Sequence, residues 1–433
     1  MIYLLIFICS TILSFFLTFL VKNFAQKRKI LDYPERAPQR KIHTRPIPLL
    51  GGLAIFFSFF IILFILGLVR PSLFQAIPLK KILGIFVGSI FIMVGGYLDD
   101  KYNLKPSQQI IWPILAVLTV IAAGIGVDYV TNPFGGVIHL DKYNFFLFSF
   151  RGIPYYFTLF ADIFTFVWLM TIIYATKFLD GLDGLVSGLG VIGGVIIAFL
   201  CLFTKFFQPE VALISLIFSG ACLGFLFLNF HPAKIFLGEG GSVFCGFILG
   251  NLAIISGGKI ATALLVLAIP ILDLIWVIIR RIFKEKKAPW LADKKHLHFR
   301  LLDFGLSHRQ AVLFLYLIAL FFGLLTLFLK SWQKLITLLV LILTIVLGLI
   351  WTWRKFIKRE KRLKREVTEA EKALYYAFKA LKEETKEQIA KLDGKPGLSE
   401  REKKICNELK KALKVSEKFI GKEIKDIEEL LEK

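Results

Sequence analysis

The stretch Lys177-Phe178-Leu179-Asp180-Gly181-Leu182-Asp183-Gly184-Leu185-Val186-Ser187-Gly188 sits between two apolar runs, each about long enough to cross a bilayer. Carboxylates and glycines therefore fall where a helix would meet water, a costly place for charge that often marks function. If the stretch stays helical, Asp180 and Asp183 project from one face, and the glycine after each leaves room for a ligand. Paired carboxylates beside bare backbone suit a hard cation carrying phosphates, because Mg²⁺ takes oxygen ligands and keeps substrate phosphates in its shell. A polar interhelical turn, with glycines for close packing, explains the same residues equally well.

Composition extends the membrane reading to the whole chain. Of 433 residues, 56% are hydrophobic and 20% charged, and the mean hydropathy is +0.69. That is too apolar for a soluble domain of this size. Apolar windows predict about eleven spans, near 2–21, 50–69, 82–98, 109–127, 160–179, 186–204, 211–228, 243–257, 261–279, 310–329 and 335–353. The expected fold is an all-α polytopic membrane protein. The first run has no basic leader and no small-residue cleavage site, so it reads as an uncleaved span. The five cysteines show neither metal-ligand spacing nor a disulfide framework.

Charge gives the orientation. After residue 365 lie 16 of the 54 basic and 16 of the 32 acidic residues, so the net +22 belongs to the part before it. Basic excess beside spans speaks for orientation and anionic headgroups, not nucleic acid. Lys22 to Arg45, Arg280 to Arg309 and the segment from Arg354 onward carry most of the loop Lys and Arg. The positive-inside rule then puts the N-terminus outside and the C-terminus in the cytoplasm. It also puts Asp99-Asp100, the Asp180/Asp183 stretch, Asn229 to Ser242 and His296 to Arg300 on one cytoplasmic face. An anionic-solute transporter would instead show midplane charges and repeated halves, which the sequence lacks. A membrane scaffold using its tail for assembly is the other rival class.

Each cytoplasmic element has two readings. Arg40-Lys41-Ile42-His43-Thr44-Arg45-Pro46 is a phosphate clamp or a juxtamembrane anchor. Asp99-Asp100 is a cation site or a solvated helix end, and adjacent carboxylates repel unless neutralised. Gly238-Glu239-Gly240-Gly241-Ser242 is a phosphate cradle leading to a Ser242 N-cap, or a capped glycine turn. His296-Leu297-His298-Phe299-Arg300 grips phosphate or is solvated loop. The outer segment from Asp128 to Tyr156 reads as an interfacial aromatic cover. The chain divides into a transmembrane domain, 1–353, and a charged tail, 354–433. Two amphipathic tail helices break at Asp393 to Gly397, and Ser399 with Glu402 forms a capping box. That tail is expected to be a cytoplasmic helical hairpin or coiled coil, packing on itself, on a second copy as a homodimer, or on a cytoplasmic partner.

Taken in order, Arg40-Lys41-x-His43, Asp99-Asp100, Asp180-Gly-x-Asp183-Gly-Leu, Asn229 to Ser242 and His296-x-His298-x-Arg300 resemble the polyprenyl-phosphate N-acetylhexosamine-1-phosphate transferases. The resemblance covers roughly residues 1 to 353. It implies a Mg²⁺-dependent enzyme, Mn²⁺ substituting, that moves GlcNAc-1-phosphate from UDP-GlcNAc to undecaprenyl phosphate in the cytoplasmic (inner) membrane and starts a cell-surface glycan. It further implies Glu239 and Asp100 as metal ligands and Asp99, Asp100, Asp183 and His298 as catalytic residues. Asn229 and Phe236 would hold the uridine with Asp180 nearby, and Lys41, His43, His296 and Arg300 would grip phosphates. Asp99 either orients the lipid phosphate or attacks first. Three positions depart from the family pattern: Glu239 replaces an Asp, Lys177 an Asn and Phe299 a His. The related phospho-N-acetylmuramoyl-pentapeptide transferases share the carboxylates but generally lack the Arg-Lys-x-His loop.

Overall fold

The structure, a computed structural model, describes residues 1–36, 45–132, 135–150, 153–203, 207–257, 260–286, 296–329 and 331–414. The chain divides into two compact units, Met1–Leu347 and Gly348–Lys433.

The first unit is a helical bundle. Its helices are α1 (Ile2–Lys27), α2 (Gly52–Val69), the short α3 (Ser72–Ala76), α4 (Leu79–Tyr102), α5 (Pro106–Gln109), α6 (Ile111–Ala122), α7 (Leu159–Leu179), α8 (Leu185–Phe203), α9 (Pro209–Asn229) and α10 (Gly238–Ile255). α11 (Ile260–Val266), α12 (Ala268–Ile279), α13 (Leu297–Asp303), α14 (His308–Phe328) and the start of α15 (Ser331–Asp393) complete it. Among the described residues, eight helices are long and apolar enough to cross a membrane: α1, α2, α4, α7, α8, α9, α10 and α14.

The remaining expected spans take other forms. The one near 109–127 is the shorter apolar stretch Pro106–Ala122. The one near 261–279 is broken between α11 and α12, where Pro270 has no N–H to offer the carbonyl of Val266. The last lies within α15. The fold is also not purely α. Strands Leu31–Asp32 (β1) and Ile47–Pro48 (β2) pair antiparallel, and the segment between α6 and α7 forms two hairpins, Tyr129–Thr131 (β3) with Val137–His139 (β4) and Asn144–Phe150 (β5) with Ile153–Thr158 (β6).

α1 shows why the bundle belongs in lipid. Its buried residues are Ile6, Ser10, Ser14, Thr18, Val21 and Ala25, a mostly small and hydroxylated stripe, while Leu4, Leu5, Ile12, Phe16 and Leu20 face outward. That polarity is reversed from a soluble helix, because lipid tails compete for apolar surface and small residues let helices approach. Ser10 Oγ donates to Ile217 O at 2.7 Å and Ser14 Oγ to Ala221 O at 2.6 Å, joining α1 to α9.

α10 is the centre. Its apolar window is 89% buried, against 22% for α1, and it packs on α7, α4, α2 and α8. Glycines make this possible: a Cβ on Gly52 would lie 2.2 Å from Gly241 Cα, and one on Gly96 2.2 Å from Gly240 Cα. The N-terminus of α10 is therefore wedged between the start of α2 and the end of α4. Helix α10 begins at Gly238, with Leu237 before it, and Ser242 Oγ turns back to the carbonyl of Glu239 at 3.1 Å. This corrects the expected Ser242 N-cap, because the helix starts four residues earlier and the hydroxyl bonds back within its first turn.

In the second unit, a helix over 400–414 follows the break. Ser399 and Glu402 cap it reciprocally, at 2.9 and 3.3 Å, and Lys410 Nζ reaches Asp393 Oδ2 at 2.6 Å.

Candidate active site

The stretch 180–184 is a turn between α7 and α8, not helix. The i, i+3 helical spacing expected of Asp180 and Asp183 therefore does not apply. Gly184 adopts a left-handed conformation at φ +81°, which reverses the chain and frees its N–H to donate to Asn229 Oδ1 at 3.0 Å.

Asp183 is held from several sides. His231 Nδ1 donates to its Oδ2 at 2.7 Å, and the N–H of Ala233 reaches the same oxygen at 3.1 Å. Its own N–H donates to His308 Nε2 at 2.8 Å. Asp183, His231 and His308 bring possible ligand atoms within 4.8 Å of one another. The two imidazoles, however, stack at 4.1 Å and 14°. His231 Nδ1 and His308 Nε2 are each already engaged with Asp183 by a hydrogen bond. This trio is a lock on the turn, not a cation cage.

Asn229, which the resemblance gives to uridine, is engaged within the protein. Its Oδ1 accepts from Gly184 N and from Ser187 Oγ at 2.9 Å, and its Nδ2 donates to Ile235 O at 3.0 Å. Tyr316 donates from α14 to Gly184 O. Phe236 pairs through its backbone with Pro48 O and Gly51 N, at 2.8 and 3.0 Å.

The other carboxylates gather where α4, α7 and α10 meet. Asp100 Oδ1 accepts the N–H of Glu239 at 3.0 Å. This contact needs Gly238, whose φ is +76° and whose added Cβ would sit 2.3 Å from Asp100 Oδ2. Asp99 Oδ1 accepts from Leu104 N at 2.9 Å and Gln109 Nε2 at 2.8 Å. Lys177 Nζ then donates to Gln109 Oε1 at 2.9 Å and meets Glu239 Oε1 at 2.5 Å. A shallow, open cleft is lined by Asp99, Gln109, Trp112 and Glu239.

Asp180 stands at the edge of this group. Desolvation by the surrounding protein, then the charges of Glu239 and Asp183, push its carboxyl up to about 8. More than a third of its surface is open to solvent, which tempers the effect.

The partners of these carboxylates decide whether they fit a divalent cation. Glu239 already carries a cation, the Lys177 ammonium, so a dication on it would meet like charge. Asp100 and Asp180 have no ion-pair partner among the described residues, lie within electrostatic reach of one another and of Glu239, and offer the oxygen donors that Mg²⁺ prefers. Asp100 and Asp180 could therefore offer oxygens to a divalent cation, whereas Glu239 is engaged by Lys177.

The histidine motif starts α13. His296 Nδ1 donates to Asp273 Oδ2 at 2.7 Å, the N–H of Leu297 donates to Asp273 Oδ1 at 2.8 Å, and the His296 ring stacks on Phe178 at 5.9 Å. Because Phe178 adjoins Lys177, this ties α13 to the carboxylate group. Arg300 is buried on the same helix, and for His298 only the backbone is described. Lys41 and His43 lie outside the described residues. Sequence reading missed Asp273, Gln109, His231 and His308. A lone Asp in the apolar run 261–279 was the available signal for Asp273.

A family model described as Glycosyl transferase family 4 matches residues 82–257. A protein of Bacillus subtilis named "Probable undecaprenyl-phosphate N-acetylglucosaminyl 1-phosphate transferase" is 34% identical over 375 residues, 82% of this chain and 96% of the relative. A decaprenyl-phosphate N-acetylglucosaminephosphotransferase of Mycobacterium leprae is 31% identical over 71% of this chain and 79% of its own length. An undecaprenyl-phosphate alpha-N-acetylglucosaminyl 1-phosphate transferase of Thermotoga maritima is 30% identical over 67% of this chain and 78% of its own.

Proposed function

Because the chain belongs to glycosyl transferase family 4, we propose that it transfers N-acetylglucosamine-1-phosphate from UDP-GlcNAc to undecaprenyl phosphate, releasing UMP. A phosphate oxygen of the lipid forms a bond to the phosphorus bearing the sugar. The bond from that phosphorus to the bridging oxygen breaks, and UMP leaves with the electron pair. The lipid phosphate has its second pKa near ~6, so at neutral pH most of it needs no base. Catalysis is then mainly positioning and charge neutralisation.

The observation that carries this reading is the linked group of Asp99, Asp100, Glu239 and Lys177 at the ends of α4, α7 and α10, with Asp99 and Glu239 lining one cleft. Asp100 and Asp180 would hold Mg²⁺, with Mn²⁺ substituting. When bound, the ion neutralises diphosphate oxygens. Lys177 places a fixed ammonium beside them. Asp99, held by Gln109, orients the attacking phosphate, and His296, His298 and Arg300 take the phosphate end of the donor with Lys41 and His43. The turn at Asp183, held by His231, His308 and Asn229, shapes the wall of the donor site. The site faces the cytoplasm, with the N-terminus outside the cytoplasmic membrane. The tail serves assembly, with a second copy or a cytoplasmic partner.

The test is UMP release by purified protein given undecaprenyl phosphate, Mg²⁺ and either UDP-GlcNAc or UDP-MurNAc-pentapeptide. Release with UDP-GlcNAc supports the proposal. Release only with the pentapeptide donor would move the protein to the peptidoglycan reaction, and silence with both would refute transfer of either sugar.

A further inference from the structure

Two departures from the family pattern, Glu for Asp at 239 and Lys for Asn at 177, lie far apart in sequence, yet the structure puts them in contact. Lys177 Nζ is 2.5 Å from Glu239 Oε1, and both side chains are mostly buried, at 15% and 21% exposure. Gln109 Oε1 accepts from the same ammonium at 2.9 Å, and Gln109 is in turn anchored on Asp99. The Tyr174 ring lies 5.6 Å from it as well. An ammonium with this many partners is a built part of the site, not a surface lysine that has happened on a carboxylate. The extra methylene of Glu239 lets its carboxylate reach a lysine rooted on the neighbouring helix.

We propose that Lys177 is the resident counter-cation of Glu239, that it occupies the place the family resemblance gives to the metal there, and that it sets how tightly this chain binds a divalent cation. Positive charge at Glu239 is then permanent. Any divalent ion is confined to the Asp100 and Asp180 side, where the carboxylates have no cationic partner among the described residues. The ammonium would repel a nearby dication and denies it the Glu239 oxygen, so two effects weaken the site in the same direction. The inference deepens the proposed transfer reaction, because charge neutralisation of the diphosphate is divided between a fixed ammonium and a bound ion.

The experiment is a Mn²⁺ titration followed by electron paramagnetic resonance on the purified full chain in detergent, without substrate. Lys177→Asn is expected to bind Mn²⁺ at least tenfold more tightly than the unmodified protein. Lys177→Arg, which keeps the charge, should bind as weakly as the unmodified protein. Glu239→Gln alone, which leaves the ammonium uncompensated, should bind no more tightly than the unmodified protein, and Lys177→Asn with Glu239→Gln should lose most of the gain. A Lys177→Asn protein that binds no more tightly, or a Glu239→Gln protein that binds tenfold more tightly, would overturn the inference. Because ion binding is read directly, silence in the UMP assay would sink the transfer reaction and leave this result standing.

Discussion

Replacing Gly96 with alanine perturbs the point where α4 and α10 touch backbone to backbone. The added Cβ would lie 2.2 Å from Gly240 Cα and 2.3 Å from Gly240 N. Non-bonded carbons rest about 3.5–4.0 Å apart, so the two helices must separate by roughly 1.3 Å or more. No side chain can move aside to absorb this, because both obstacles are main chain. Gly96 precedes Asp99 by three residues and Gly240 follows Glu239, so the displacement falls on the carboxylate group itself. Overpacking of this kind costs about 1–3 kcal/mol of stability. A misplacement of about 1 Å at reacting groups costs on the order of 100-fold in rate. Gly96→Ala is therefore expected to lower kcat/KM for UMP release about 100-fold, with a lower melting temperature in the same detergent. Gly126→Ala is the control: the nearest atom to its Cβ is 3.7 Å away, so ordinary contact results. Activity of Gly96→Ala within about threefold of the unmodified protein, with an unchanged melting temperature, would refute the helix-contact account.

Asp273→Ala should cost about 3 kcal/mol, because it strips the buried His296 ring and the Leu297 N–H of their acceptors. A thermal melt and the UMP assay, compared with His296→Ala and the double variant, read the shared loss. The raised pKa of Asp180 carries a sign: the folded state binds the proton more tightly than the unfolded chain, whose pKa is about 3.9. Its contribution to stability is fully present below that value and lost as pH rises through about 8. Melting temperatures in EDTA should therefore fall between pH 5 and pH 9 less steeply for Asp180→Asn than for the unmodified protein. Removing the chain after residue 365 is expected to leave UMP release within about twofold while reducing particle size beyond the lost mass. Unchanged size and activity together would deny the tail any role in assembly.

Much of the fold was written in local pattern. Apolar runs of bilayer length need no partner to be recognised, because a backbone in lipid must satisfy its own hydrogen bonds and only a helix does so within one segment. α1, α2, α4, α7, α8, α9, α10 and α14 were legible for that reason, as were the basic loops and the Ser399/Glu402 cap. The break at Pro270 could be read only once the helices on either side had separated. The site divides in the same way. Motif order marked Asp99, Asp100, Asp180, Asp183, Asn229, Glu239 and His296, since charge and glycine at the ends of apolar runs stand out in one dimension. What each residue faces was settled only by tertiary structure. Asp180 and Asp183 lie in a turn and not on a helix face, and Asn229 gives its side-chain oxygen to the end of that turn. Glu239 meets Lys177 across α7 and α10, which approach closely where Gly246 faces Thr176 and Ile172. Asp273, one carboxylate in an apolar run, gains its meaning from His296, which lies 23 residues later in the chain. Sequence alone fixes the free energy of placing each segment in lipid or water; the pairing of buried charges depends on distances that exist only after the helices have packed.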